Sequence, residues 1–554
     1  MKSRIFWNLT VIILLILSGK AFSQSQVFED VTSKAGIDFR YNFGDYTYEN
    51  ILESSGSGIT IFDYDADGYM DLLMLSGTYL EGISDTEGKG FKDSTDKLYR
   101  NNGDGTFTDV TRVSGLIDFH WSMAAAAVDY DNDGDTDIFL LNYGPNVFFR
   151  NNGDGTFTDI TDITGLRGPE TLNGFIKWSV GAAFWDYNED GKLDVMVGNF
   201  LAFDPEYKTP TTPHLMPHPS EYKGQASMLY RQEVDGSFTD VTRDMGLHFP
   251  DSKCMGLTVF DYDDDGDMDL FQGNDHQMNF LFRNEGNNTF SEVALPSGVA
   301  GNDQGDPTGS MHGSIGDVDG DGLIDLLVTD LKYGALYKNL GSGVFEDITQ
   351  RSGIADVFLG KGEWAAALFD FDNDGDLDIF SANGTAEELI LQPPLLLENN
   401  GTARFKNSGP ELGEYFNLKR SGRAAAVWDY DNDGDMDIIV SHIDLEATPV
   451  LLKNNSDNGN HWLGLTLNSS NGPGSVIGAK VILRYSGKEQ VTINQWNTSY
   501  LSSNDPRIHF GLGDANRIDD LEVKWPDGSI EKFGPVDIDR YIEISQNSGI
   551  EIIK

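Results

Sequence analysis

From residue 27 to about 457 the chain is built of apolar runs four to eight residues long, broken by turns rich in Gly, Asn and Asp. Runs this short, bounded this way, signal strands. A repeating order is visible in them. A small-residue run such as AAAAV (124–128) leads into an acidic loop, an apolar run such as IFLLN (138–142) follows, and then comes a hairpin. The hairpins read LYRNNGDGTFTDVT (98–111), FFRNNGDGTFTDIT (148–161), LYRQEVDGSFTDVT (229–242), LFRNEGNNTFSEV (281–293) and LYKNLGSGVFEDIT (336–349). Each brackets a tight Gly/Asn/Asp turn between two short apolar-aromatic runs. A unit therefore predicts four strands, and four-stranded units repeated radially make propeller blades.

The ends of this array predict how it closes. VFEDVTSKAGI (27–37) matches the last strand of a unit with nothing before it, and LLKNN (451–455) lacks such a partner. The expected fold is all-β: a seven-bladed propeller over 27–457, closed by its N-terminal strand. Residues 460–550 alternate apolar and polar positions between turns (NGPG, NDPR, WPDG), predicting a small antiparallel β domain.

The acidic loops carry the chemistry. They read D-x-D-x-D-G-x-x-D with one amide exception, and seven copies start 66, 57, 75, 56, 53 and 59 residues apart. The four side-chain positions are Asp63, Asp65, Asp67, Asp71; Asp129, Asp131, Asp133, Asp137; and Asp186, Asn188, Asp190, Asp194. They continue as Asp261, Asp263, Asp265, Asp269; Asp317, Asp319, Asp321, Asp325; Asp370, Asp372, Asp374, Asp378; and Asp429, Asp431, Asp433, Asp437. Four carboxylates in nine residues repel one another in any compact loop unless a cation lies between them. A hard ion such as Ca²⁺ takes six to eight oxygens from carboxylates, carbonyls and water. The glycine, Gly134 for example, permits the sharp turn, and the residue after it can lend its carbonyl. An EF-hand begins similarly but ends in Glu at position twelve between helices, whereas these flanks are strands. Up to seven structural Ca²⁺ ions are expected, and the Asn188 loop, with one charge fewer, is expected to bind most weakly.

Composition narrows the class. The formal net charge is −50, so nucleic acid and anionic membranes are poor partners, since both need neutralising Lys/Arg. The opening MKSRIFWNLTVIILLILSGKAFSQ has a basic start, an apolar core and a small-x-small cleavage site, predicting an export signal over 1–23. The mature chain would be periplasmic, cell-surface or secreted. The single cysteine, Cys254, excludes an internal disulfide.

With these motifs in place, the FxDxDxDGxxD units and RNNGDGTF hairpins resemble FG-GAP (VCBS-type) repeats of integrin-α-like propellers. HWLGLTL, VIGAKVIL, SYLSSNDPRIHFGLG and LEVKWPDGS resemble an ASPIC/UnbV domain. Together they resemble the cartilage acidic protein 1 family, which implies an exported calcium-binding protein of mostly undefined activity. The resemblance also implies a Cys pair in the third unit. Here that insertion, 199–231, has no Cys but five Pro, with His214 and His218. A transition-metal site and a surface contact loop both fit such an insertion, the loop better because a Pro-rich stretch offers no helix face for the His pair.

If the acidic loops join first and second strands, as the integrin resemblance implies, the first strands start around a central channel on the opposite face. Those starts are Glu53; His120 and Trp121; Lys177 and Trp178; Lys253 and Cys254; Met311 and His312; Glu363 and Trp364; and Arg420 and Arg423. Cations, aromatics and histidines gathered there would suit an anionic or carbohydrate-like ligand; alternatively the Trp residues plug the channel and the charges pair. The expected role is a monomeric binding or adhesion module for an extracellular glycan, polymer or protein. The runner-up is a calcium-dependent enzyme using His120 or His312 opposite Glu363, although no nucleophile elbow, P-loop or zinc signature is present. His509 and Trp525 of the tail are expected to be packed.

Overall fold

The computed structural model describes residues 26–553 except 93, 211–215, 387–388, 445, 470–475 and 496–498. The expected leader, 1–23, and His214 lie outside the described residues. Antiparallel four-strand meanders repeat along the chain. Their first strands are Ile59–Phe62, Trp121–Val128, Ser179–Trp185, Cys254–Phe260, Thr308–Gly316, Glu363–Phe369 and Gly422–Trp428, which define units one to seven. Each second strand begins at the last aspartate of its motif: Asp71, Asp137, Asp194, Asp269, Asp325, Asp378 or Asp437. All acidic loops therefore join first to second strands and share one end of the assembly.

The first strands contact one another in order, and Gly422–Trp428 returns to Ile59–Phe62. In the last sheet Phe28–Asp30 supplies the outer strand, with Phe28 opposite Asn454 and Asp30 opposite Leu452. Alanines at 124–126, 182–183, 365–367 and 424–426 are buried on the inner strands. Side chains this small let first strands approach closely around a shared axis. One irregularity joins neighbouring sheets. The second strand of unit four, Asp269–Gln277, runs on far enough to pair Asp275 with Gly309 of unit five.

The tail is two packed four-stranded sheets. One holds His461–Asn468, Ile508–Gly513, Tyr541–Ser545 and Gly549–Ile552; the other holds Lys480–Tyr485, Lys488–Ile493, Asp520–Lys524 and Ile530–Lys532. Leu463, Leu465, Leu483, Phe510, Val523 and Ile544 fill the space between them. It is not wholly antiparallel as expected: Gly464–Asn468 runs parallel to Tyr541–Ser545. A parallel pair needs a long crossover, and here the second sheet lies between the two strands in sequence.

The tail also enters the ring. Ser502–Ser503 pairs in parallel with Ile59–Thr60, adding a fifth strand to unit one. Tyr500 and Leu501 are buried within the ring's own hydrophobic core, and Ile59 N donates to Leu501 O at 3.1 Å. No described helix is long and apolar enough to cross a membrane.

Candidate metal loops and a filled channel

Every loop repeats one hydrogen-bond plan. In unit two, Asp129 accepts from the backbone of Asp133 (3.2 Å) and Gly134 (3.0 Å), which winds the loop around the first aspartate. Asp133 accepts from Asp135 N at 3.1 Å. Asp137 accepts from Tyr130 N at 3.1 Å and Asn151 N at 2.8 Å, anchoring the loop to the third strand. The motif glycine is left-handed, with φ +94° at Gly134. So is the fourth position, which sequence reasoning passed over: Ala66, Asn132, Glu189, Asp264, Asn373 and Asn432 have φ between 56° and 61°. Asn and Asp tolerate that region better than other side chains, so the Asn-rich fourth position was a readable signal.

The donor set fits a hard cation. Side-chain oxygens of Asp63, Asp65 and Asp71 lie within 4.8 Å of one another, as do trios in units two, four, five and six. At the third motif position one oxygen each of Asp65, Asp263, Asp319 and Asp431 is buried with no hydrogen-bond partner. In three loops a basic side chain from the third strand lies where positive charge is wanted. Arg100 contacts Asp65 (2.7 Å) and Asp67 (3.1 Å), Lys338 contacts Asp319 and Asp321, and Lys453 contacts Asp431 and Asp433. Unit six differs. Its third-strand residue is Glu398, so Asp370, Asp372, Asp374 and Asp378 have a further carboxylate where other units place a cation. In unit three, Asn188 accepts from Asp190 N at 3.0 Å.

Burial raises these carboxylates. Asp63, Asp129, Asp261 and Asp317 are pushed up to about 6, chiefly because little water reaches them, with partial relief from the backbone N–H groups they accept. At the closing position burial holds Asp325 at about 7, Asp137 and Asp194 at about 8, and Asp269 at about 9. Asp71, Asp370, Asp378 and Asp437 lie well above the usual carboxylate range for the same reason.

A second feature ties loop to loop. The third-strand amide of each unit donates to the backbone carbonyl at the second motif position of the preceding unit. Asn151 reaches Tyr64 O, Gln232 Tyr130 O, Asn284 Tyr187 O and Asn339 Tyr262 O, at 2.8–3.0 Å. Asn399 reaches Val318 O, Asn454 Phe371 O and, from the first unit back to the last, Asn101 reaches Tyr430 O at 2.7 Å. The backbone N of that same residue donates to the closing aspartate, as Asn101 N does to Asp71 at 2.7 Å. The belt links every acidic loop to its neighbour. Only its RNN spelling was visible in the sequence.

The residues expected around an open channel do not form one. Trp121, Trp178, Lys177, Lys253, His312, Glu363, Trp364 and Arg423 are all buried, and so are Glu53, Cys254 and Met311. Arg423 stacks 4.0 Å from the Trp364 ring and donates to Ser54 O at 2.7 Å and Thr385 O at 2.9 Å. Trp364 also meets Tyr500 of the inserted tail segment, ring centroids 5.1 Å apart. Trp178 packs on Tyr143, Phe200 and Phe203. Lys177 donates to Asn146 and Ser179, and burial lowers it to about 7. Lys253 donates to Pro219 O at 2.9 Å. Arg420 pairs with Asp444. His120 is the half-exposed exception, paired with Asp118, which raises it. The physical reason is that two segments of the chain close the space. Residues 41–56 supply the buried Tyr41, Glu53 and Ser54, and the tail's 499–503 inserts between the first strands. Nor are the proposed acid and base paired: both His312 nitrogens and both Glu363 oxygens are buried without a partner.

The tail covers the acidic loops unevenly. Over unit seven, Tyr541 Oη donates to Asp429 at 2.6 Å and Arg507 to Asp429 O at 2.8 Å. Over unit six, His509 meets Asn373 at 2.7 Å while its ring stacks on Trp462. Lys480 pairs with Asp264 of unit four at 3.0 Å. Trp525, like His509, is packed, donating to Glu531 at 2.8 Å. In the insertion His218 caps the short turn Pro219–Glu221, its ring 4.2 Å from that of His276.

Acidic strand-to-strand loops repeated around a ring, followed by a two-sheet tail, define an FG-GAP-type repeat protein. A family model for the FG-GAP-like repeat matches residues 90–140, 129–197, 261–328 and 317–381, and a model for ASPIC and UnbV matches 468–551. Mouse cartilage acidic protein 1 is 27% identical over 439 residues, covering 74% of this chain and 62% of that protein. The human protein of the same name is 29% identical over 282 residues, covering 47% and 39%. The chain thus carries both FG-GAP-like repeats and an ASPIC/UnbV domain and is similar to cartilage acidic protein 1, and its alignment with the mouse relative spans under two thirds of that relative's length. Among solved structures, an Agrocybe aegerita lectin described as recognising non-reducing terminal N-acetylglucosamine is 16% identical with a TM-score of 0.39, over 72% of this chain and 93% of that one. YCF48 bound to D1 peptide is 7% identical with a TM-score of 0.41, over 78% and 96%.

Proposed function

We propose that the chain is an exported binding or adhesion module for an extracellular glycan, polymer or protein, its ring held by structural Ca²⁺. Residues 27–457 would be the ring and 460–550 the docked tail. The ions would be bound by the four side-chain positions of each acidic loop, with the following carbonyl and water completing the shell. The observation that carries the reading is the set of buried, partnerless oxygens at Asp65, Asp263, Asp319 and Asp431, one in each of four different loops. An anionic oxygen held from water without a donor is costly, and a divalent ion among neighbouring carboxylates removes that cost. The similarity to cartilage acidic protein 1 agrees with an extracellular setting.

Elemental analysis of the purified mature chain tests the metal, and glycan and protein arrays probed with and without chelator test the binding. Several calcium ions per chain are expected at neutral pH, with a lower melting temperature and lost capture after stripping. A metal-free preparation of unchanged melting temperature would refute the structural role. Calcium without capture on any array would leave the loops and refute the module.

A further inference from the structure

Between the tail and the acidic loops of units one and two lies a cleft of about 860 Å³. Its floor holds Asp63, Asp67 and Gly68 of one loop and Asp129, Asp133 and Gly134 of the next. Its roof comes from the tail, including Asn468 and Glu543. The uneven seating of the tail creates this space. Asp370 and Asp429 lie buried beneath the tail, whereas residues 66–68 and 131–134 of the first two loops are exposed. The volume sits near the top of the range of small-molecule sites, roughly 300–1,000 Å³.

We infer that this cleft binds an uncharged, hydroxyl-rich oligosaccharide. The inference rests on the binding-module reading and on divalent ions in the two floor loops. Charge argues against polyelectrolytes. Among the described lining residues Arg507 is the only basic one, and it is already held by Asp505 at 2.6 Å and by Asp429 O. A polyanion would therefore meet acidic loops with no free cation to receive it. A polycation would suit bare loops, but a divalent ion in each would offset half of their eight motif carboxylates and occupy the oxygens a cationic ligand would seek. The remaining lining mixes amides and hydroxyls, Asn132, Asn468 and Thr466 among them, with apolar side chains such as Phe62, Leu467 and Ile553. Amides offer donors and acceptors together, which matches the alternating donor and acceptor character of sugar hydroxyls. The channel cannot play this part, because the tail's own Tyr500 and Leu501 are buried within the ring.

The test is calorimetric titration of the calcium-loaded mature chain with maltohexaose, cellohexaose, chitohexaose, hexaguluronate and hexalysine. At least one of the three neutral hexasaccharides is expected to bind, and the two charged probes are not. Asn468→Trp fills the cleft from the exposed tail side and changes no residue of either loop. It should weaken that binding at least tenfold while calcium stoichiometry and melting temperature stay unchanged. Thr466→Trp should do the same and serves if the first variant misfolds. Preference for a charged probe, or no binding of any neutral one, overturns the inference. Neutral-sugar binding undiminished in both variants overturns the cleft while leaving a binding module in place, so the two readings fail separately.

Discussion

Metal removal should make stability fall as pH rises, the opposite of ordinary acid denaturation. In the metal-free ring burial holds Asp325 at about 7, Asp137 and Asp194 at about 8, and Asp269 at about 9. An unfolded aspartate titrates near ~3.9. Between those limits the folded chain keeps protons that the unfolded chain has released. The stabilisation from these groups is therefore complete below about pH 4 and is lost as pH climbs through the folded values. From pH 5 to 7.5 one such group fully expressed would cost about 3 kcal/mol. Loop relaxation and water entry reduce that to about 1 kcal/mol each, and to about 4 kcal/mol for the four. For a ring this large the apparent melting temperature should fall by roughly 5 °C. With calcium the direction reverses, because the ion takes up deprotonated carboxylates and its affinity rises over the same window. The assay is differential scanning calorimetry on protein stripped with EGTA at neutral pH, desalted into metal-free buffers at pH 5, 6 and 7.5, and compared with calcium-loaded samples. A metal-free midpoint that stays level or rises between pH 5 and 7.5 would refute the argument.

Two substitutions probe the loops individually. Glu398→Lys puts into unit six the cation that Lys338 and Lys453 supply elsewhere; it should stabilise the metal-free ring and weaken calcium at one site by about tenfold, or about 1.4 kcal/mol, most of the Coulomb gain being screened at this exposed position. Calorimetric titration resolves it, and an unchanged isotherm would contradict the account of unit six. Asn151→Ala removes the amide that donates to Tyr64 O and Thr136 O, stranding one buried and one half-buried carbonyl, so unfolding should become easier by about 2–3 kcal/mol. A loss below 1 kcal/mol in chemical denaturation would show that the belt between units carries little load.

How much of this was legible in the sequence follows from how local each signal is. The acidic loops could be read directly, because aspartates on alternate positions before a glycine have few other tolerable explanations. The four-strand units could be read from their turns. Phe28–Asp30 found its partner because FEDVT at 28–32 repeats FTDVT at 107–111, and both pair as outer strands. The channel could not be read. Its occupant, Tyr500 and Leu501, lies over 400 residues from the Ile59 strand it joins, and nothing in SYLSS marks a strand destined for another sheet. The cations and aromatics around the channel were found as a set, but composition does not distinguish groups facing solvent from groups facing one another. Arg423 on Trp364 is the second kind.

The inserted strand changes what the acidic loops do. A ring tied only by its own loops would lose its shape gradually as ions left. Here the loops of units six and seven also form the surface on which the tail rests, through Asn373 with His509 and Asp429 with Tyr541. The same tail carries Tyr500 into the core against Trp364. Charge balance in two loops is thereby coupled to a plug at the centre. Unit six has Glu398 where units one, five and seven have a cation, so a loop without that charge balance lies under the tail's docking surface. The loops of units one and two have no such cover. Their ions would exchange with solvent more readily than those of units six and seven, and their exposed edges, like residues 189–191 of unit three, are left to meet a ligand.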